Sequence, residues 1–246
     1  MAEEITVHGD TAMTEIYVFI GIAVIIAVLI IWTVLRNTAR NNERDLFLDT
    51  KGFSSCDERE ITDRVVALER NAEYDYLIRD PMKASHMNCT IFFYEKIRTR
   101  NGKDPYAVEE FLFPLPRKSR EPFLLYLRPP MLKDGFTTKL IQRLASASWD
   151  AKPDGFARIE LPEELQKSNI IVALAPGENE LYDLVEPEQL TLLLKGSEHG
   201  ILILRCNAGF CSVEYMRNLP GASPLRIWSF IEQMLDAASQ MKLVAQ

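Results

Sequence analysis

Residues Ile16 to Leu35 carry no charge, no proline and no amide side chain, and they lie between Glu15 and Arg36. At about 1.5 Å per helical residue such a run covers about 30 Å, the thickness of a bilayer's hydrocarbon layer. It predicts a transmembrane helix over 16–35. A cleaved signal peptide would begin with basic residues, hold a shorter apolar core and end in small residues. Here residues 1–15 contain Glu3, Glu4, Asp10 and Glu15 and no Lys or Arg, and the run ends in Trp32-Thr33-Val34-Leu35. A buried core helix would show a polar stripe. The polar side chains of this run, Tyr17, Trp32 and Thr33, sit near its ends, and the two rings suit the headgroup belts.

Orientation follows from the cationic flank. Arg36, Arg40, Arg44 and Lys51 come after the run. Positive residues stay cytoplasmic, so the expected layout is an extracytoplasmic tail (1–15), the span (16–35), a polar stalk (36–56) and a cytoplasmic domain (57–246). Within the span, Gly21, Ala23 and Ala27 are small, and Ala23 and Ala27 are four apart on one face. That spacing suits close helix–helix packing and an oligomer formed through this helix. Small residues are equally at home in membrane helices that have no partner, so both readings stand.

Composition narrows the classes for the remainder. The formal net charge is −7, of which the four acids of the tail account for −4, so the domain itself is mildly acidic. No basic stripe interleaved with aromatics is present, which argues against nucleic acid as a partner. Four cysteines, Cys56, Cys89, Cys206 and Cys211, show no CxxC spacing, and a cytoplasmic location disfavours disulfides. Cys206 and Cys211 bracket a hairpin loop and face each other in that register. They read first as small core side chains, with a redox pair or half a metal site as the sharper alternative.

The period of apolar residues then sets the elements. Residues 36–50 continue as a helical stalk before Gly52. Asp57 to Asn71, with Ile61, Val65 and Leu68, reads as a surface helix. Tyr74, Tyr76 and Ile78 alternate as a strand that ends at Asp80-Pro81. Cys89–Ile97 and Tyr106–Phe113 flank an Asn101-Gly102 turn, the clearest hairpin signal in the chain. Further strands are expected over 123–127, 156–161 and 170–174, with helical segments over 139–147, 179–185 and 187–194. A second hairpin joins 201–206 to 211–216, its buried face being Leu202, Leu204, Cys206, Cys211, Val213 and Tyr215. Ser223 and Pro224 open a last helix whose apolar face is Ile227, Phe230, Ile231, Met234, Ala238 and Met241, widened by Trp228 and Leu235. The class is α+β, with mostly antiparallel hairpins and packed helices, and with room for two lobes meeting near 146–155.

Chemistry is sparse. Phosphate-loop, dinucleotide, zinc-protease and nucleophile-elbow motifs are absent. His8 precedes the span, and His86 and His199 lie in polar, loop-like contexts. Pairing Cys89 with His86 as nucleophile and base has no support from their spacing. Glu109 and Glu110 are adjacent in a strand, so they point to opposite faces and cannot act as an acid/base pair. Glu163-Glu164 reads as decoration of a helix end. No catalytic, cofactor-binding or metal-binding residue is assigned. Arg98, Arg100 and Lys103 surround the first hairpin turn and read as a solvated tip, with contact to anionic headgroups as the functional alternative.

The order of several pieces resembles a group of bacterial membrane-associated proteins described only as a domain of unknown function. These are Ile91-Phe92-Phe93-Tyr94, Asn101-Gly102-Lys103, Pro122 to Pro129, Ile159-Glu160-Leu161-Pro162, Leu184 to Leu190 and the hairpin around Gly209. The resemblance implies a bacterial inner-membrane protein and supplies no site residues. This chain departs from it in having one apolar span where some of that group have two. The expectation is a single-pass accessory or scaffold protein whose domain binds other membrane or cytoplasmic proteins. The alternative is an enzyme, or a receptor for a small ligand or lipid, with an unfamiliar site.

Overall fold

The computed structural model describes residues 7–114, 122–127, 153–160, 170–177, 202–207, 209–215 and 223–244, with backbone alone for 7–16, 103–104, 170–172 and 237–244. The expected helices over 139–147, 179–185 and 187–194 lie outside these residues. Two compact units are present, Met1–Asp49 and Thr50–Gln246.

The first unit is formed by helix α1, Val7–Thr50, a single run through the apolar segment and the stalk. It is long and apolar enough to cross a membrane. From Tyr17 to Leu35 its large apolar side chains are half or more exposed. The hydroxyls of Thr33 and Thr38 donate to the carbonyls of Leu29 (2.7 Å) and Val34 (3.0 Å), so the helix satisfies them itself. Arg36 lies over the ring of Trp32 at 5.0 Å, a cation–π pair at the polar end of the apolar run.

In the second unit, strand β1 (Ser54–Ser55) is followed by α2 (Arg59–Glu69), β2 (Tyr74–His86), β3 (Cys89–Arg100), β4 (Lys103–Pro114), β5 (Phe123–Leu127), β6 (Phe156–Arg158), β7 (Ile170–Pro176), β8 (Leu202–Asn207), β9 (Phe210–Tyr215) and α3 (Pro224–Val244). Among the described residues the strands form one antiparallel sheet in the order β1-β2-β3-β4-β9-β8-β5-β7-β6. The fold is α+β. Strands from before and after residues 146–155 interleave in that sheet, so the lobe boundary expected there divides no strand pairing.

Turn chemistry explains the first three long strands. Arg100 pairs with Lys103 across Asn101 (φ 51°) and Gly102 (φ 69°), the left-handed pair that a tight hairpin needs. β2 runs on to His86 rather than ending at Asp80-Pro81. The register shifts between Arg79 and Met82, and Asp80 takes φ 47°, so the proline is accommodated at a bulge and the ladder resumes. His86 then pairs with Cys89 across Met87 (φ 50°) and Asn88 (φ 62°). Methionine is a poor signal for such a turn, which is why β2 and β3 do not read as a hairpin in the sequence.

The central strands β4, β9, β8 and β5 are buried on both faces. On one face α2 lays Ile61, Val65 and Leu68 against Ile78, Phe92, Tyr94 and Leu112. The C-terminal end of α2 is held from outside the helix: the Asn207 amide donates to the carbonyl of Ala67 (2.7 Å), and Asp154 accepts from the backbone N–H of Ala72 (3.0 Å). On the opposite face Phe111 contacts Phe93 (ring centroids 4.9 Å apart) and Trp228 of α3 (6.4 Å), and Phe53 meets Trp228 at 5.5 Å. The hairpin face expected from the sequence, Leu202, Leu204, Cys206, Cys211, Val213 and Tyr215, is buried. α3 buries Ile227, Trp228, Phe230, Ile231 and Leu235, while Met234 is half-buried, so its inner face is turned toward Trp228 and Leu235. The expected inward positions Ala238 and Met241 lie among the side chains not described.

Phe111 is central to the aromatic side. Phe111→Ala should lower unfolding stability by about 3–5 kcal/mol, read as a reduced urea midpoint at unchanged slope.

Candidate functional site

Strands that bury one face normally put charges on the other. Here the second face carries charges too, and α2 covers them. Lys96 and Arg98 project from β3, Glu110 from β4, Arg205 from β8 and Glu214 from β9, and Glu69 enters from the last residue of α2. None of these six residues is more than 3% exposed. Three carboxylates thus meet three cations in one buried layer.

Register decides who touches whom. Glu110 and Glu214 are directly opposite across β4 and β9. Lys96 bridges them, with Nζ 2.8 Å from Glu110 Oε2 and 3.3 Å from Glu214 Oε2, and it also donates to Glu69 Oε1. Arg98 Nη2 donates to both oxygens of Glu214 (2.9 and 3.0 Å). Arg205 Nη1 donates to Glu214 Oε2 at 2.7 Å and stands 3.7 Å from Glu110 Oε1, while its Nε is 3.5 Å from Glu69 Oε1. That last separation is an electrostatic contact too long for a good hydrogen bond, consistent with Nε and Nη2 of Arg205 having no hydrogen-bond partner among the described residues. The Tyr94 hydroxyl donates to Glu110 Oε2 at 2.9 Å.

The electrostatics follow from burial and charge together. Burial is the largest influence on Glu69 and on Glu214 and pushes both carboxyls up. The combined fields of Arg205, Lys96 and Arg98 outweigh it, so both are held below the ordinary carboxylate range. Burial likewise disfavours the charged form of Arg205, and Glu69, Glu214 and Glu110 more than restore it. Tyr126 is pushed up to about 12, first by burial, and the Tyr94 phenol is also raised. The setting thus favours ionised Glu69, Glu214, Arg98 and Arg205 and neutral Tyr94 and Tyr126.

Glu69, Glu110 and Glu214 bring oxygens within 4.8 Å of one another, a spacing suited to a divalent cation. The Lys96 ammonium already contacts all three. A metal ion would have to displace a lysine from the place where its charge is needed. The layer therefore acts as a neutralised electrostatic joint between α2 and four strands.

Residues singled out from the sequence fall elsewhere, with two exceptions, Glu110 and Arg98. Arg98, read as part of a solvated hairpin tip, is in the layer. Its guanidinium is engaged by Glu214 and it is buried, which overturns both the solvated-tip reading and the headgroup alternative for this residue. Arg100 is 52% exposed and pairs with Glu73 at 2.6 Å. The Lys103 side chain lies outside those described. Gly21, Ala23 and Ala27 are exposed on α1, and a Cβ on Gly21 would meet nothing within 4 Å. Glu109 and Glu110 do point to opposite faces: Glu109 accepts from the Tyr215 hydroxyl at 2.6 Å, on the aromatic side. His86 packs edge-on against Trp228 (5.4 Å), with Nδ1 4.0 Å from Glu232. His199 lies outside the described residues, as does the side chain of His8. Glu69, Lys96, Arg205 and Glu214 are absent from the sequence-based candidates. Arg205 and Glu214 carried a signal, a lone charge inside an apolar strand, as in Leu202-Ile203-Leu204-Arg205-Cys206 and Ser212-Val213-Glu214-Tyr215, whereas Glu69 at a helix end and Lys96 beside Glu95 carried none.

Two outcomes are expected of this layer. Lys96→Met should cost about 3–5 kcal/mol in urea unfolding, because it strands buried carboxylates without their shared cation. The stabilisation carried by Glu69 and Glu214 is complete above the unfolded-chain value of about 4.3 and is lost as pH falls from there through the lower native values. Urea midpoints should therefore drop with acid below about pH 5, and Glu214→Gln should flatten that dependence.

No family model, no curated protein and no solved structure matches this chain.

Proposed function

We propose that this chain is a single-pass membrane-anchored accessory or scaffold protein whose 57–246 domain binds other proteins of a membrane complex from the cytoplasmic side. The observation that carries the reading is the exposed apolar surface of α1 from Tyr17 to Leu35, bounded by Trp32 and Arg36. Apolar surface of that extent is unfavourable in water, and lipid is the medium that matches its length. Arg36, Arg40 and Arg44 on one side only support a cytoplasmic domain. The bacterial inner membrane is the proposed location, on the sequence resemblance described above.

Binding rather than chemistry is favoured by how the domain spends its ionisable groups. The convergent set among the described residues, Glu69, Lys96, Arg98, Glu110, Arg205 and Glu214, is buried and balanced in charge. It holds a helix on a sheet, which keeps the exposed surfaces rigid. Small residues Ala23 and Ala27 support association through the membrane helix as well.

Alkaline carbonate should leave the intact chain in the membrane pellet, and its release into the supernatant would overturn the anchor. Protease added to sealed cells should spare the domain and digest it only after lysis; digestion in sealed cells would reverse the orientation. Extraction in several mild detergents should recover a partner in fixed ratio. Isolation of a lone monomer in all of them would remove the scaffold role.

A further inference from the structure

Cys206 and Cys211 occupy opposed positions of the β8–β9 hairpin, one step inside the pair Asn207 and Phe210 that closes the loop. Residues directly opposite in an antiparallel pair have Cα atoms about 4.5–5.5 Å apart, inside the span of about 4.4–6.8 Å that a disulfide bridges. Both side chains lie on the aromatic side with Leu204 and Val213, and their sulfurs approach to 2.9 Å. Two thiols serving only as small core side chains have no need for contact this close, and the sulfurs have less than about 1 Å to travel to bond length. Both are free thiols here, as are Cys56 and Cys89.

We propose that Cys206 and Cys211 are an oxidisable dithiol that closes to a disulfide within the hairpin by exchange with a disulfide reagent such as oxidised glutathione. One cysteine thiolate attacks a sulfur of the reagent, forming a mixed disulfide and releasing one reduced thiol. The second cysteine attacks the protein sulfur of that mixed disulfide, forming the Cys206–Cys211 bond and releasing the second thiol. Two S–H bonds are lost from the protein, the reagent's S–S bond is reduced, and both protons end on the released thiols.

The Cys211 thiol is pushed well up, first by burial and then by its contact with Cys206. Burial of both cysteines makes the exchange slow, since the reagent reaches them only through local opening of the fold. The bond has structural reach. Arg205 and Ser212 are the neighbouring opposed pair, so a staple at 206–211 locks the register that places Arg205 and Glu214 in the ionic layer. Closure depends on the hairpin alone, so it stands or falls separately from membrane anchoring and partner binding.

The test uses the full-length chain in detergent, reduced, freed of reductant and incubated overnight with oxidised glutathione at about pH 8.5, where thiolates become available. After denaturation and alkylation, alkyl groups are expected on Cys56 and Cys89 only. The peptide carrying Cys206 and Cys211 should be lighter by the mass of two hydrogens, a loss that added reductant reverses. Alkylation of all four cysteines would overturn the proposal, and so would glutathione left on Cys206 or Cys211 without resolution to an internal bond. In Cys206→Ser the loss of two hydrogens should vanish; its persistence would assign the bond to another pair and equally overturn the inference.

Discussion

Glu110 and Glu214 face each other across the β4–β9 ladder, and two carboxylates in that register repel unless cations stand between them. Lys96 reaches both from the β3 side, and Arg205 does so from the β8 side. Arg98 adds a two-bond contact to Glu214. That leaves a surplus of positive charge under α2, and Glu69 cancels it. A carboxylate on the last residue of a helix is opposed by the helix dipole, so the cations below it, and not the helix, explain its position. Burying six charges is costly, and the arrangement holds because each carboxylate meets at least two cations.

This joint lets a wide sheet be covered on both sides by different means. Toward α3 the contact is aromatic, with Phe53, Phe93, Phe111 and Trp228 meeting edge-on or tilted. Toward α2 an apolar patch gives way to ions at the end of the helix. The two chemistries are unequal in their specificity. Apolar packing tolerates small slips of a helix, whereas the layer tolerates none, since a displaced Glu69 would leave Lys96 and Arg205 short of a counter-charge. Asn207 and Asp154 reinforce the same placement by tying down the backbone around the end of α2.

A domain built in this way has consequences for what it can do. Among the described residues the densest cluster of charges is turned inward and neutralised. The proposed role, binding from an anchored position, draws its support from that inward cluster and from the exposed apolar helix. The β8–β9 hairpin crosses between the two chemistries, placing its cysteines on the aromatic side and Arg205 and Glu214 on the ionic side.

Much of the fold was legible because it rests on local signals. The apolar length of residues 16–35, the Asn101-Gly102 turn, the strand at Phe123–Leu127 and the Ser223-Pro224 helix start each depend on a few neighbouring residues. The proline at 81 misled, because a bulge lets a strand continue past a residue that lacks a donor. The role of Arg98 misled for a different reason. A basic residue near a turn is ordinarily solvated, and here Glu214 from β9 and the ring of Tyr106 from β4 meet the guanidinium in a buried setting. By itself, then, the sequence determined the long apolar helix, the hairpins at Asn101-Gly102 and around Gly209, and the inward face of the second of them, since periodicity and turn geometry are properties of adjacent residues. Tertiary structure alone decided that the second face is also buried and that Glu69, Lys96, Arg98, Glu110, Arg205 and Glu214 form one layer. Those partners come from a helix and four strands, and a charge on its own strand carries no mark of the counter-charge that folding will bring to it.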